Sequence, residues 1–224
     1  MTRGKRAFDV ASSLLGLIVL APLFLAIAVL VKGEHGGPVF YRQWRVGYRS
    51  RRFRLWKFRT MTPHAAAIGP AITVGDDARI TAVGAVLRRF KLDELPQLLN
   101  VVAGEMSLVG PRPEVWRYVQ RYTPEQRRVL DLVPGITDPG SLEFRDEATL
   151  LASSADWEST YVEDVMPAKI RASLDYADRA TRWSDLAIVL RTLLLVARPR
   201  RRRDDAPSAD VQRGVHIIAS RRLP

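Results

Sequence analysis

Hydrophobic positions run without a single charge from Val10 to Val31, 22 residues in succession. As a straight helix at about 1.5 Å per residue the stretch reaches about 33 Å, enough for the ~30 Å hydrocarbon core of a bilayer. It exceeds the roughly 7–15 residues of a signal-peptide core, although Ala26-Ile27-Ala28 mimics a cleavage site. Pro22 stands near its middle. A proline there removes the donor for the Ile18 carbonyl and crowds it, so the helix bends. Cations flank both ends: Arg3, Lys5 and Arg6 before, Lys32, Arg42 and Arg45 after. Positive charge favours the cytoplasmic side. A hairpin broken at Pro22 keeps both flanks there, whereas a kinked span puts one outside. Proline kinks are tolerated in spanning helices, so both readings stand at this point.

Past a Gly-rich turn, the segments 39–46 (VFYRQWRV) and 52–61 (RFRLWKFRTM) flank Gly47 and predict a β-hairpin. Residues 62–78 are rich in Pro, Gly and Ala and read as a loop. Helical spacing returns over Arg79–Phe90, with Ile80, Val83, Val86 and Leu87 on one face. A short helix is predicted from Asp93 to Ala103, with acids opening it, Pro96 in its first turn and Gly104 at its end. Thr123-Pro124-Glu125-Gln126 is a capping-box start for a helix ending before Pro134. Residues 134–147 read as irregular, and helices are expected over about 156–177 and 184–197. The last has 10 apolar residues among 14. It is too short to span, and so belongs either in a core or on a bilayer surface. No internal repeat is visible.

Charge narrows the choice of partner. Thirty-five Lys and Arg against 24 Asp and Glu leave +11 over 224 residues, which points to nucleic acid, anionic lipid or a phosphorylated substrate. Six of the basic residues fall between Arg49 and Arg59, close after the apolar run, where anionic headgroups are a natural partner. No nucleic-acid-binding motif accompanies them. With no cysteine and only His35, His64 and His216, a disulfide scaffold, a thiolate site and a Ser-His-Asp triad drop out.

The strongest candidate for chemistry is Lys91-Leu92-Asp93-Glu94-Leu95-Pro96. Acids in a first helical turn also simply complement the helix dipole. Here, however, Arg88, Arg89 and Lys91 stand beside them. These cations are expected to hold Asp93 ionised, as a carboxylate nucleophile requires. Arg112, bracketed by Pro111 and Pro113, reads either as a stiffened fork for phosphate or as the partner of Glu114 or another acid. Lys57 and Arg59 are substrate cations or a solvated strand face. Asp138, Glu143, Asp146 and Glu147 suit metal, sugar hydroxyls or plain solvation.

The joint occurrence of KRAFD (5–9), GGPVFYRQWRVG (36–47), KFRTM (57–61), LDELPQL (92–98), SLVGPRPE (107–114) and PGIT (134–137) resembles the bacterial sugar transferase family, the monotopic phosphoglycosyl transferases, from Lys5 to about Leu195. The resemblance implies transfer of a sugar-1-phosphate from a UDP-sugar to polyprenyl phosphate, through a covalent phosphosugar-aspartate, with Mg²⁺ and release of UMP. It implies Asp93 as nucleophile and Glu94 as its acidic partner, both as candidate metal ligands. Lys57, Arg59, Arg88 and Arg112 become candidate phosphate contacts. Small members have a re-entrant helix broken at a Ser-Pro pair; here the pair is Ala21-Pro22, and PGITD replaces the commoner PGITG. The resemblance therefore implies a mixed α/β, helix-rich protein of the small form. It comprises a re-entrant segment (1–34), a catalytic domain (35–197) with a small β-hairpin and surface amphipathic helices, and a basic disordered tail (198–224). It sits on the cytoplasmic face of the inner membrane, with anionic lipid and a homodimer among its expected partners. A tethered non-catalytic scaffold and a polyanion binder are the competing readings.

Overall fold

The computed structural model describes residues 1–63, 65, 69, 77–144 and 147–197. The 198–224 tail, most of the 62–78 loop and Asp146 lie outside them.

Two helices come first, α1 (Arg3–Val19) and α2 (Ala21–His35), bent by 61°. The break falls at Leu20, two residues before Pro22, which lies within the first turn of α2. A first-turn amide has no helical acceptor to lose, so proline is tolerated there and the hinge forms just ahead of it. No single helix among the described residues is long and apolar enough to cross a membrane; the bent pair passes that test only together.

Both arms are attached to the same body. Arg6 donates to the carbonyls of Val101 and Val102 at 2.6 and 3.1 Å, and Ser107 donates to buried Asp9 at 2.7 Å. From the second arm Ile27 and Val31 pack with Phe58 and Leu87, with Phe24, Val83 and Leu92 against them. Gly36 ends α2 in the left-handed region at φ 65°, as a glycine can without strain. The outward side stays apolar: Leu15, Ile18, Val19, Leu25, Val29 and Leu30 are all exposed.

The β-hairpin pairs β1 (Phe40–Val46) with β2 (Arg52–Phe58), Tyr41 opposite Lys57 and Trp44 opposite Arg54. Alternation sends Phe53 and Leu55 into the core and leaves Arg52 and Arg54 in the open. The next helix is α3 (Ala82–Arg89), capped by Thr81, whose side chain accepts from Gly84. A Cβ at Gly84 would collide with the Thr60 carbonyl, so glycine lets α3 lie directly on the end of β2.

Within the stretch expected to be irregular, residues 135–143 are mostly regular. β3 (Ser107–Val109) pairs in parallel with β4 (Gly135–Thr137), and helix α5 follows at Pro139–Glu143, after α4 (Gln97–Ala103) earlier in the chain. Strands three residues long carry no periodicity. Gly110 and Gly135 approach so closely that a Cβ on either would strike the other segment's backbone. The capping box at Thr123 forms, with Gln126 and Thr123 exchanging bonds at 3.0 and 3.2 Å, but it opens a 3₁₀ segment, Gln126–Asp131. The expected 156–177 helix is interrupted by a π-turn at Tyr161–Val165, which runs into α6 (Met166–Ala177). The final helix, α7 (Arg182–Ala197), buries none of its residues; Trp183, Leu190, Leu193 and Leu194 are exposed. It is therefore not a core helix.

Candidate active site

Asp93 and Glu94 lie not in an α-helical first turn but in a 3₁₀ turn, Leu92–Glu94, with α4 starting only at Gln97. Pro96 is the reason. It lacks the N–H that would close on the Leu92 carbonyl, and Leu95 donates there instead at 3.2 Å. Lys91 enters the turn in the left-handed region at φ 53°, a conformation costing a residue with a side chain about 1 kcal/mol or more. The short turn carries no macrodipole to speak of, so charge around the dyad comes from side chains.

Glu94 is tied down by cations. Arg112 holds both its oxygens, at 2.5 and 3.1 Å, and Lys57 donates to Oε1 at 2.9 Å. Lys57 reaches it because β2 alternation places it on the inward side with Phe53 and Leu55. Arg112 thus pairs with Glu94 and not with Glu114. Burial works against the Glu94 charge, but Arg112 and Lys57 outweigh it and hold the carboxyl well below the usual range. The same pair raises Arg112. Burial lowers Lys57, partly offset by Glu94.

Asp93 differs. It is 6% exposed, and its Oδ1 is buried with no hydrogen-bond partner. Burial raises its carboxyl above the ordinary value and Glu94 adds to this; Lys57, Lys91 and Arg88 pull the other way without prevailing. Of the cations expected to hold Asp93 ionised, Lys91 and Arg88 do pull its carboxyl down, and burial opposes them. Two adjacent acids have thereby been pushed in opposite directions, a pattern found where carboxylates have separate tasks. Arg88 donates to Thr60 at 2.8 Å and acts electrostatically on Asp93.

Arg59 is placed elsewhere: it is buried, and its guanidinium reaches the Val31 carbonyl at 3.2 Å beside Gly37, clamping the end of α2. Asp138 caps α5 at Ser141 and accepts from Ser173, and Glu147 pairs with Lys169 at 2.5 Å. Among the described residues no group of three or more acids, His or Cys is placed to hold a metal.

Sequence reasoning passed over Asn100. Fully buried, it accepts from the Trp56 amide at 3.0 Å and donates to the Arg54 carbonyl and to Glu105 at 2.8 and 2.7 Å, latching α4 to β2. Its signal was a lone amide inside LLNVV. Leu92, next to Asp93, packs in the Phe24 and Phe58 cluster, which sets the dyad one residue from the apolar bent pair.

The family model for bacterial sugar transferases matches residues 1–199. The chain is 38% identical over 195 residues to the UDP-glucose:undecaprenyl-phosphate glucose-1-phosphate transferase of Caulobacter vibrioides, covering 84% of this chain and 68% of that one. It is 38% identical over 175 residues to the exopolysaccharide production protein ExoY of Sinorhizobium fredii, covering 71% and 77%. Over 189 residues it is 35% identical to the UDP-N-acetylgalactosamine-undecaprenyl-phosphate N-acetylgalactosaminephosphotransferase of Aeromonas hydrophila, covering 84% of this chain but 42% of that protein. A match of this extent, lying over the buried dyad and its cations, leads to one conclusion: the chain belongs to the bacterial sugar transferase family.

Proposed function

We propose that the protein moves a sugar-1-phosphate from a UDP-sugar to polyprenyl (undecaprenyl) phosphate in two displacements at Asp93. The observation that carries this reading is the Asp93 oxygen, buried and unpartnered among cations. A carboxylate stripped of hydrogen-bond donors is a better nucleophile than a solvated one. Its oxygen attacks the phosphorus bearing the sugar; the Asp93–phosphorus bond forms, the diphosphate bridge breaks, and UMP leaves. An oxygen of polyprenyl phosphate then attacks the same phosphorus. The Asp93 bond breaks, giving polyprenyl-diphospho-sugar and the free carboxylate.

Both steps bring anion to anion, so positive charge placed in advance is the main requirement. Lys57 and Arg112, gathered by Glu94, together with Arg88, supply it. Magnesium fits Asp93, since it takes one or two carboxylates and completes its shell from phosphate and water; Glu94 has both oxygens committed to Arg112 and Lys57. When bound it would neutralise diphosphate charge. Arg59 has no part in this reading beyond holding α2.

The same contacts support a re-entrant placement. With both arms bonded to one body, the bent pair enters one leaflet and returns, on the cytoplasmic face of the bacterial inner membrane. Exposed Trp183, Leu190, Leu193 and Leu194 of α7 then rest at the same surface, and the dyad beside Leu92 meets a lipid phosphate at headgroup depth. Incubation with a panel of UDP-sugars should give UMP and a sugar-phosphate adduct detectable by intact mass, and Asp93→Asn should abolish both. An adduct that survives in Asp93→Asn removes Asp93 from the role. Absence of UMP with every donor and undecaprenyl phosphate leaves the scaffold reading.

A further inference from the structure

Behind Arg112 lies a second, half-buried acid that the chemistry above does not use. Glu114 accepts from Arg45 at 3.2 Å, from the Val115 amide at 2.7 Å and from the Tyr161 hydroxyl. Its backbone carbonyl accepts from the Val46 amide at 2.8 Å, joining the loop to the end of β1. Arg45 also donates to the Pro113 carbonyl at 3.1 Å, and is itself held by Gln43 at 2.7 Å. Tyr161 is 3% exposed and lies edge-on against Tyr118 with ring centroids 5.0 Å apart. It is also the first residue of the π-turn, a widened turn that recurs at functional sites.

These bonds converge on one short segment, Pro111-Arg112-Pro113-Glu114, whose prolines have φ already set. A loop with two φ angles locked and its far end bonded from both β1 and the π-turn has little freedom left. The side chain it presents toward the dyad is Arg112. We infer that Glu114, with Tyr161 and Arg45, is a positioning residue for the transfer reaction: it fixes the loop that aims the Arg112 guanidinium at Glu94 and at phosphate charge. The inference rests on the transferase reading, since it gives Arg112 something to act upon. It also gives a role to the π-turn, 47 residues away in sequence from Glu114, which has no other evident purpose in the site.

A misplacement of about 1 Å in a positioned group can cost up to about a hundredfold in rate. Glu114→Gln should therefore lower kcat for adduct formation about tenfold, with the KM for the UDP-sugar changed less than about twofold. Tyr161→Phe, which keeps ring and packing, should move kcat the same way by about threefold. Because Glu114 acts through Arg112, neither change should add to the loss already present in Arg112→Ala, within about twofold, in a double-mutant cycle. A residue of merely structural use would lower the folded fraction equally in both backgrounds. Wild-type kcat in Tyr161→Phe and Glu114→Gln, or a loss that multiplies undiminished onto Arg112→Ala, overturns the inference while wild-type turnover keeps the transferase reading standing. A wild-type protein that forms no adduct overturns both.

Discussion

The dyad turn and the bent helical pair break the same rule in opposite directions. Around residues 91–94 the protein buries charge: Asp93 and Glu94 are sequestered with Lys57 and Arg112. Along α1 and α2 it exposes grease, with Ile18 72% and Leu25 68% accessible. Each departure costs free energy in water, and each needs something from outside to offset it. Under the proposed reaction, that is a diphosphate for the turn and lipid for the pair. The two meet at Leu92, which belongs to the helical cluster and adjoins Asp93. The polyprenyl phosphate of the proposed reaction carries both chemistries, a phosphate for the turn and an apolar tail for the pair.

The comparison breaks most visibly at Glu94. Glu94→Gln leaves half-buried Arg112 and Lys57 without their counter-charge, and taking one partner from a buried pair costs up to about 3–5 kcal/mol. Stability should fall by about that much, measured by chemical unfolding in a fixed detergent. A loss below about 1 kcal/mol would mean that the cations are solvated and the site is not the closed cluster seen here.

On the other side, Leu25→Asp with Val29→Asp tests the exposed face. On a surface that meets only water such changes stay within about 0.5 kcal/mol. Against hydrocarbon each acid costs about 2–3 kcal/mol, so the variant should shift from the membrane fraction to the supernatant on alkaline extraction. Retention equal to the wild type would mean that α2 does not face lipid.

Much of this was legible from residue order alone. The charge-free run, its break near Pro22 and the LDELPQL and SLVGPRPE segments located the bent apolar pair and the dyad, because those signals are local. What was not legible is non-local or a matter of competition. Nothing near residue 94 says that Arg112 and Lys57 would both choose Glu94, or that burial would work against the pull of Lys91 and Arg88 on Asp93. Arg59 looks like Lys57 in KFRTM, yet it lies just past the end of β2, and the absent side chain at Gly37 leaves room for its guanidinium to reach the Val31 carbonyl. β3 and β4 are three residues each and exist because two glycines let their backbones touch. Tyr161 and Glu114 meet only through a π-turn that interrupts an otherwise ordinary helical pattern.

The smallest effect is the most discriminating, because it separates the two acids by sign. Glu94 is held below the ordinary value of 4.5 by Arg112 and Lys57, so its ionised form contributes stability above that pH, lost as the pH falls through the folded value. Asp93 is raised above 3.8 by burial. In the ionised form it opposes folding, at full cost above its folded value and progressively less as the pH drops through it. Asp93→Asn keeps the shape and removes that charge, so the inactive variant should be the more stable protein at neutral pH, by about 1 kcal/mol or about 2–4 °C in Tm. The gain should shrink on acidification, as the wild-type carboxyl takes up its proton. Thermal scans of both proteins across the acidic range check it. An Asp93→Asn variant less stable than the wild type at neutral pH would mean that Asp93 is bonded in the fold, and that the unpartnered oxygen on which the nucleophile argument stands is satisfied after all.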